Sequence, residues 1–451
     1  MASGLLDKAN IILTPTGYKA GTMYNVAPIE QPYEDFVFSR ASVASRVNSS
    51  GLVEMVGRTL GSNLVQNGDF SEIGPDLVQN GTFDLGSELV TNGDFATDSD
   101  WSTIGTWDIV NNQAEAIGNG ISQYIQQDFT ISNGNIYKFT YEIIENTLNG
   151  NGASLSSSGG FGSVSISNVV GTHTEYITAS NDTATYALKI GVSGTATSGT
   201  IKLDNVSVKE VPDWTLTQAT VSNNTLQLST TDGSYTAATQ SLGSIGESYK
   251  IQLDVSNIVG TISVAIGGGT DVDITTNGTH TIYIKSASTT FELKRKFGIT
   301  NVSASINNVV VQELDPNDYW NLGTGWSIGD GKLEGTNVNG VSSEQSGYTF
   351  VGKTFQVSYT ISDYTQGSVQ IYLGGVQATS LKDVNGVHTE TITITSGNST
   401  LYVYGVSNFT GSIDNVSAQE VIDTNNIPRI NYDSNGENGH WLLEPTSTNL
   451  F

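Results

Sequence analysis

One strand-like stretch recurs in this chain and constrains everything else. Ile201-Lys202-Leu203-Asp204-Asn205-Val206-Ser207-Val208 returns as Ser305-Ile306-Asn307-Asn308-Val309-Val310-Val311, and again as Ser412-Ile413-Asp414-Asn415-Val416-Ser417-Ala418. The copies lead into Glu210-Val211, Glu313-Leu314 and Glu420-Val421. Apolar and polar residues alternate with period two, which describes a half-buried strand. A strand repeated at this spacing means that the chain is built from tandem copies of one β-module.

The 451 residues leave room for about three domains. Around each copy of the recurrent strand the same order of elements can be followed. A Trp-containing strand comes early (Trp107, Trp214, Trp326). A long alternating strand follows, around Tyr137, Tyr249 and Phe355. A Gly-x-His-Thr turn comes next, and the recurrent strand closes the module. About eight strands per module predict an all-β chain of tandem β-sandwiches of jelly-roll type, with modules at 96–211, 212–315 and 316–422. The three tryptophans are expected to be core anchors. The 50 glycines and the many Ser, Thr and Asn residues suit strands and tight turns rather than helices.

The chain contains no cysteine, so neither disulfides nor thiolate metal sites hold it. It carries 44 acidic against 18 basic residues, a formal net charge of -26. Such a surface repels phosphate backbones and anionic lipid heads, which argues against nucleic-acid and membrane partners. No apolar run approaches the roughly 20 residues that span a bilayer. The first residues, Met1-Ala2-Ser3-Gly4-Leu5-Leu6-Asp7-Lys8, lack the charged and apolar regions of a secretory signal. The expectation is a protein that stays inside the cell or leaves it by lysis.

Residues 61–95 hold a heptad in three copies: Leu64-Val65-Gln66-Asn67-Gly68-Asp69-Phe70, Leu77-Val78-Gln79-Asn80-Gly81-Thr82-Phe83 and Leu89-Val90-Thr91-Asn92-Gly93-Asp94-Phe95. Asn-Gly is a strong turn signal. The heptad resembles the opening strand of carbohydrate-binding-module-like jelly rolls. The third copy is expected to continue into the first module. The first two read as a local duplication or as a repetitive linker, so the second and third modules lack this opening.

Residues 1–60 and 423–451 have a different character. Asp35-Phe36-Val37-Phe38-Ser39-Arg40-Ala41-Ser42 alternates like a strand, and Val47 to Val53 reads as a hairpin around Asn48-Ser49-Ser50-Gly51. Near the other end stand Ile427-Pro428-Arg429-Ile430-Asn431-Tyr432 and Trp441-Leu442-Leu443-Glu444-Pro445-Thr446-Ser447-Thr448-Asn449-Leu450. Together these two halves resemble a signature of fibre-type structural proteins of tailed bacteriophages, in which they normally lie close together. The resemblance implies a small base element into which modules have been inserted, with Phe36, Phe38, Arg40, Arg429, Tyr432 and Trp441 at the base or its assembly interface. It also implies a homotrimer, other capsid or tail proteins as partners, and a place on the exposed surface of the virion after synthesis in the host cytoplasm.

Three of the four histidines are equivalent between repeats, His173, His280 and His388, which points to a turn element bonded to backbone rather than to a catalytic base. No nucleophile elbow, zinc motif or P-loop is present in the sequence, and no enzymatic activity is expected. The competing readings are a free-standing adhesin for host-surface polysaccharide and a tailspike-like depolymerase. No cofactor is required by the sequence, but the resemblance to carbohydrate-binding modules implies structural calcium between first and last strands. Its candidate ligands are Asp94, Asp204 and Asp414, with the neutral Asn307 in the second module; the alternative is that these side chains bond turn backbone. Sugar-stacking platforms are expected from Trp101, Tyr124, Trp320 and Tyr364. The basic cluster Lys294-Arg295-Lys296 is expected on a solvated edge strand.

Overall fold

The structure is a computed structural model. It describes residues 58–149, 155–182, 187–267 and 271–423, and the strands Pro15–Lys19, Thr22–Asn25, Phe36–Val37, Ala44–Val47, Val53–Val56, Arg429–Asn431 and His440–Leu442. Among the described residues the chain is strand and turn, with a single 3-10 turn at Gly159–Phe161, and no helix is long and apolar enough to cross a membrane. It forms tandem β-sandwich modules of jelly-roll type, as the period-two alternation predicts.

In the first module, one sheet runs in the order Gly171–Thr178, Ile136–Asn146, Thr200–Val211, Gln113–Ile117, Asp108–Val110. The other runs Val164–Ile166, Leu155–Ser158, Leu188–Val192, Gln123–Gln127, Ser102–Ile104. The inward residues of both sheets, including Tyr141, Phe139, Ile125, Ile190 and Leu203, form one buried core. The second module repeats this plan, with Val302–Leu314 between Leu226–Thr230 and Ser248–Val259. In the third, Lys353–Leu373 and Leu401–Asp423 each run unbroken through both faces. The second module divides the equivalent lengths at residues such as Gly260, which sits at φ 75°.

The recurrent strand lies inside its sheet in every module, which explains its alternation. It also carries a bulge. Asn205, Asn308 and Asn415 have φ of 52°, 52° and 53°. Register shifts interrupt the pairing at Thr140/Glu142, Gln252/Asp254 and Ser358/Thr360 of the neighbouring strand. Asn tolerates this left-handed conformation better than most residues, which accounts for the repeated Asp/Asn-Asn pair.

Modules one and two share a buried joint. Ile136 and Val211 of the first lie in the same apolar cluster as Trp214, Val221 and Leu228 of the second. The Tyr176 hydroxyl donates to the Val221 carbonyl and accepts from the Val221 N–H, at 2.6 Å.

The basic cluster departs from expectation. Thr290–Arg295 is the third of five strands in its sheet, not an edge. Arg295 is buried, and its guanidinium donates to the carbonyls of Ser234, Lys296 and Ile299. Lys294 pairs with Glu292 and Asp271, and Lys296 with Asp273. The cluster is neutralised locally and fixes the turn that exposes Phe297.

At the termini, Ala44–Val47 pairs with Val53–Val56, placing Val47 opposite Val53 as the hairpin reading requires. Phe36 lies opposite Met23, Arg429 opposite Leu442, and Ile430 opposite Trp441. Arg429–Asn431 approaches Ala44–Val47, so strands from the two ends of the chain meet. Phe38, Arg40 and Tyr432 lie outside the described residues.

Candidate functional site

The three heptads are neither linker nor idle duplication. Each lies along the last strand of a different module, in reverse order. The heptad at 89–95 completes the first module, that at 77–83 the second, and that at 64–70 the third. At each, the leucine N–H donates to the last strand: Leu89 to Val208 O, Leu77 to Val311 O, Leu64 to Ala418 O. The glycine carbonyl accepts from it: Gly93 from Val206, Gly81 from Val309, Gly68 from Val416. The modules therefore nest. The first lies within the sequence of the second, and both lie within that of the third.

Two side chains in each module grip the heptad. A buried glutamine clamps the residue at its third position. Gln127 Oε1 accepts from Thr91 N–H at 2.8 Å and its Nε2 donates to Thr91 O at 2.8 Å. Gln240 does the same for Gln79, at 2.7 and 2.9 Å, and Gln345 for Gln66, at 3.2 and 2.6 Å. A tryptophan Nε1 donates to the heptad asparagine carbonyl: Trp101 to Asn92 at 2.9 Å, Trp214 to Asn80 at 3.0 Å, Trp320 to Asn67 at 3.0 Å. The same ring faces the heptad phenylalanine, with centroids 5.2 Å apart for Phe95–Trp101, 5.0 Å for Phe83–Trp214 and 5.1 Å for Phe70–Trp320.

The heptad sequence follows from this seat. Its Asn and Phe both take positive φ, as in Asn80 (52°) and Phe83 (52°), which turns the chain so that the ring enters the core. A Cβ on Gly81 would sit 1.9 Å from the Val309 carbonyl oxygen, and one on Gly68 2.2 Å from that of Val416, so only glycine permits the backbone contact. The residue before each heptad caps it: Glu88, Asp76 and Asn63 accept from the N–H of Val208, Val311 and Ala418.

This arrangement corrects the sequence reading of the heptads. The second and third modules do have the Asn-Gly opening, supplied from 77–83 and 64–70. The domains are accordingly discontinuous, and residues 61–95 are shared among all three. Trp101, Trp214 and Trp320 are the equivalent set, while Trp107 and Trp326 are each buried within their own module. The signal was present in the sequence: three heptads, and three acidic or aromatic residues preceding a tryptophan (Asp100-Trp101, Asp213-Trp214, Tyr319-Trp320). Matching by chain order pointed elsewhere, because the pairing is reversed.

The candidate sugar platforms are placed by the same geometry. Trp320 is buried and Trp101 is partly buried against the first core, each with its N–H engaged and its ring against a heptad phenylalanine. Tyr124 is half-buried on Gln123–Gln127, opposite Gly191. Tyr364 is half-buried, donating to Gly367 O at 3.0 Å. The histidines behave as turn elements: Nε2 of His173, His280 and His388 lies 2.6, 2.9 and 2.9 Å from the carbonyls of Val169, Thr276 and Val384.

Asp204 and Asp414 serve the bulge. Their Oδ1 accepts the N–H of Asn205 at 2.7 Å and of Asn415 at 2.6 Å, and Asn307 does the same for Asn308 at 2.7 Å. Asp94 is exposed beside Asp204. Burial raises the pKa of Asp204, and the Glu142 and Asp94 carboxylates add to this, while the Asn205 N–H opposes it. Among the described residues, no group of three acidic or histidine side chains close enough to share an ion includes Asp94, Asp204 or Asp414. An open cleft of about 440 Å³ follows the seam of the third module, lined by Asn67, Asp69 and Asn415 among others.

No family model and no curated protein matches the chain. Several solved structures are similar at low identity. The tandem CBM22-1–CBM22-2 domain of Xyn10C from Paenibacillus barcinonensis is 11% identical, with 46% of this chain and 93% of that one covered and a TM-score of 0.18. A turret protein with a triple jelly roll fold from an archaeal virus is 13% identical, covering 75% and 91%, at 0.19. Tandem CBM51 modules of a family 98 glycoside hydrolase from Streptococcus pneumoniae are 10% identical, covering 78% and 96%, at 0.16.

Proposed function

We propose that this chain is a structural protein of a tailed-bacteriophage virion, a fibre or appendage whose base is formed by residues 1–60 and 423–451 and whose three modules are carried as an insertion. The observation that supports this is where the chain enters and leaves the modules. Arg58 lies opposite Asp423, Thr59 opposite Ile422 and Leu60 opposite Val421. The chain thus enters and leaves the modules at neighbouring points, as an insertion into one base element requires. A base of this size gains most of its burial by association, which favours a homotrimer attached to other virion proteins. The net charge of -26 keeps projecting copies apart and soluble.

The test is mass spectrometry of purified virions together with labelling by antibodies against the first module. The chain should be present in many copies, with label at the particle surface. Particles that lack the chain would refute the proposal. Light scattering should give the mass of three chains, and a monomer at every concentration would remove the trimer.

A further inference from the structure

We propose that the three grooves are generic receptors for a Leu-Val-x-Asn-Gly-x-Phe strand, and that they accept this strand in trans from a second copy of the chain. Five contacts recur at all three heptads: the leucine N–H, the clamped third position, the asparagine carbonyl, the glycine carbonyl and the phenylalanine ring. The heptads differ at two positions only. The third position is Gln66, Gln79 or Thr91, and the groove holds it through its backbone N–H and C=O. The sixth is Asp69, Thr82 or Asp94, and all three are exposed. Among the described residues, no hydrogen bond joins a variable heptad side chain to its groove; the sixth position adds only the repulsion between Asp94 and Asp204 in the first module.

Recognition therefore does not assign heptad to module; connectivity does. The segments between successive heptads, 71–76 and 84–88, are short, and each returns along the module it serves. Ile73 pairs with Leu314, and Gly86 N–H donates to Glu210 O. A groove built on backbone contacts and one aromatic pocket works by strand addition. It cannot tell a heptad of its own chain from one of a neighbour. Reciprocal exchange would close a dimer, and one-way exchange would join copies into rings or chains.

The experiment uses the full chain with Val78→Ser and Phe83→Ser, which releases the middle heptad from the second module. Three fluorescent peptides spanning residues 62–73, 75–86 and 87–98 are titrated against it. All three should bind, with dissociation constants within about threefold of one another, and at least about tenfold more tightly than to the parent chain, whose grooves are filled. Each should restore hydrogen-exchange protection at the Val309 and Val311 amides. Binding by the 75–86 peptide alone would overturn the proposal, as would failure of every peptide to restore protection. A second full-chain variant leaves the core intact: Gln79→Thr with Thr82→Asp gives the middle heptad the sequence of the third. Exchange at Val309 should change by less than about threefold; a rise of more than about tenfold would show a selective groove and overturn the proposal.

Discussion

Removal of the heptad phenylalanines separates a structural strand from a linker. Phe70, Phe83 and Phe95 are 1%, 0% and 0% exposed, and each ring lies against the tryptophan of the module it completes. Truncating a buried Phe to Ala costs about 3–5 kcal/mol through lost transfer energy and the cavity left behind. Each 1.4 kcal/mol is tenfold in an equilibrium constant, so amides that exchange by opening of that module should exchange about 140-fold to 3,700-fold faster. A multi-module chain has no single unfolding free energy, so the assay is hydrogen exchange resolved by peptide. Phe70→Ala should act at Val416 and Ala418, Phe83→Ala at Val309 and Val311, and Phe95→Ala at Val206 and Val208. Were the first two heptads linkers, their substitutions would change stability by less than about 0.5 kcal/mol, as ordinary surface changes do. A large effect for Phe95→Ala with silence at the other two would refute the nested assignment.

Tyr176→Phe removes the hydroxyl bonded to both Val221 groups and should loosen the joint of modules one and two by about 1–3 kcal/mol, read as faster exchange at Val221. Burial raises the pKa of Tyr176 and of Tyr359, each to about 12. The folded state binds these protons more tightly than the unfolded chain, so their stabilisation is complete below pH 10 and is lost as pH rises through 12; alkaline melting curves should show the loss, reduced in Tyr176→Phe. For Asp204 the raised pKa means that the folded state favours the protonated acid, so this group's contribution to stability grows as pH falls. Asp204→Asn keeps an acceptor for the Asn205 N–H and removes repulsion from Glu142 and Asp94. Melting should show equal or greater stability in the presence of chelator. A fall seen only when calcium is supplied would instead mark Asp204 as an ion ligand.

The module plan was legible because its causes are local. Period-two alternation marks strands, and the recurrent Asp/Asn-Asn pair marks a bulge that needs a left-handed residue. The histidine turns were readable for the same reason, since each ring reaches a carbonyl four residues back. The partners of the heptads were not readable. Leu64 bonds Ala418 and Leu77 bonds Val311 across most of the chain, and nothing in Leu-Val-x-Asn-Gly-x-Phe names a module. The burial of Trp320 was hidden for the same reason. Trp320 stands just before a two-residue strand, and its buried ring lies against Phe70, which arrives from far upstream. The basic cluster was misplaced because an edge strand and a central strand with neutralised charges carry the same sequence signal.

Nesting also dictates an order of folding. The first module is complete within residues 88–211, whereas the second needs 72–83 beside 212–315, and the third needs 58–70 beside 317–423. The cost of closing a loop grows with its length, and distant contacts form slowly. Folding of the first module ties Gly86 to Glu210, which shortens the loop that the second must close. Folding of the second ties Glu72 to Asp315 and does the same for the third. Pulse-labelled refolding should therefore show protection first at Val206, then at Val309, then at Val416. The coupling should run one way. Phe95→Ala should delay all three modules, while Phe70→Ala should leave the first two at their normal rates. Equal delays from either substitution, or simultaneous protection throughout, would mean that the modules fold without regard to nesting. An asymmetric result would identify the innermost module as the seed from which the chain closes outward to its termini.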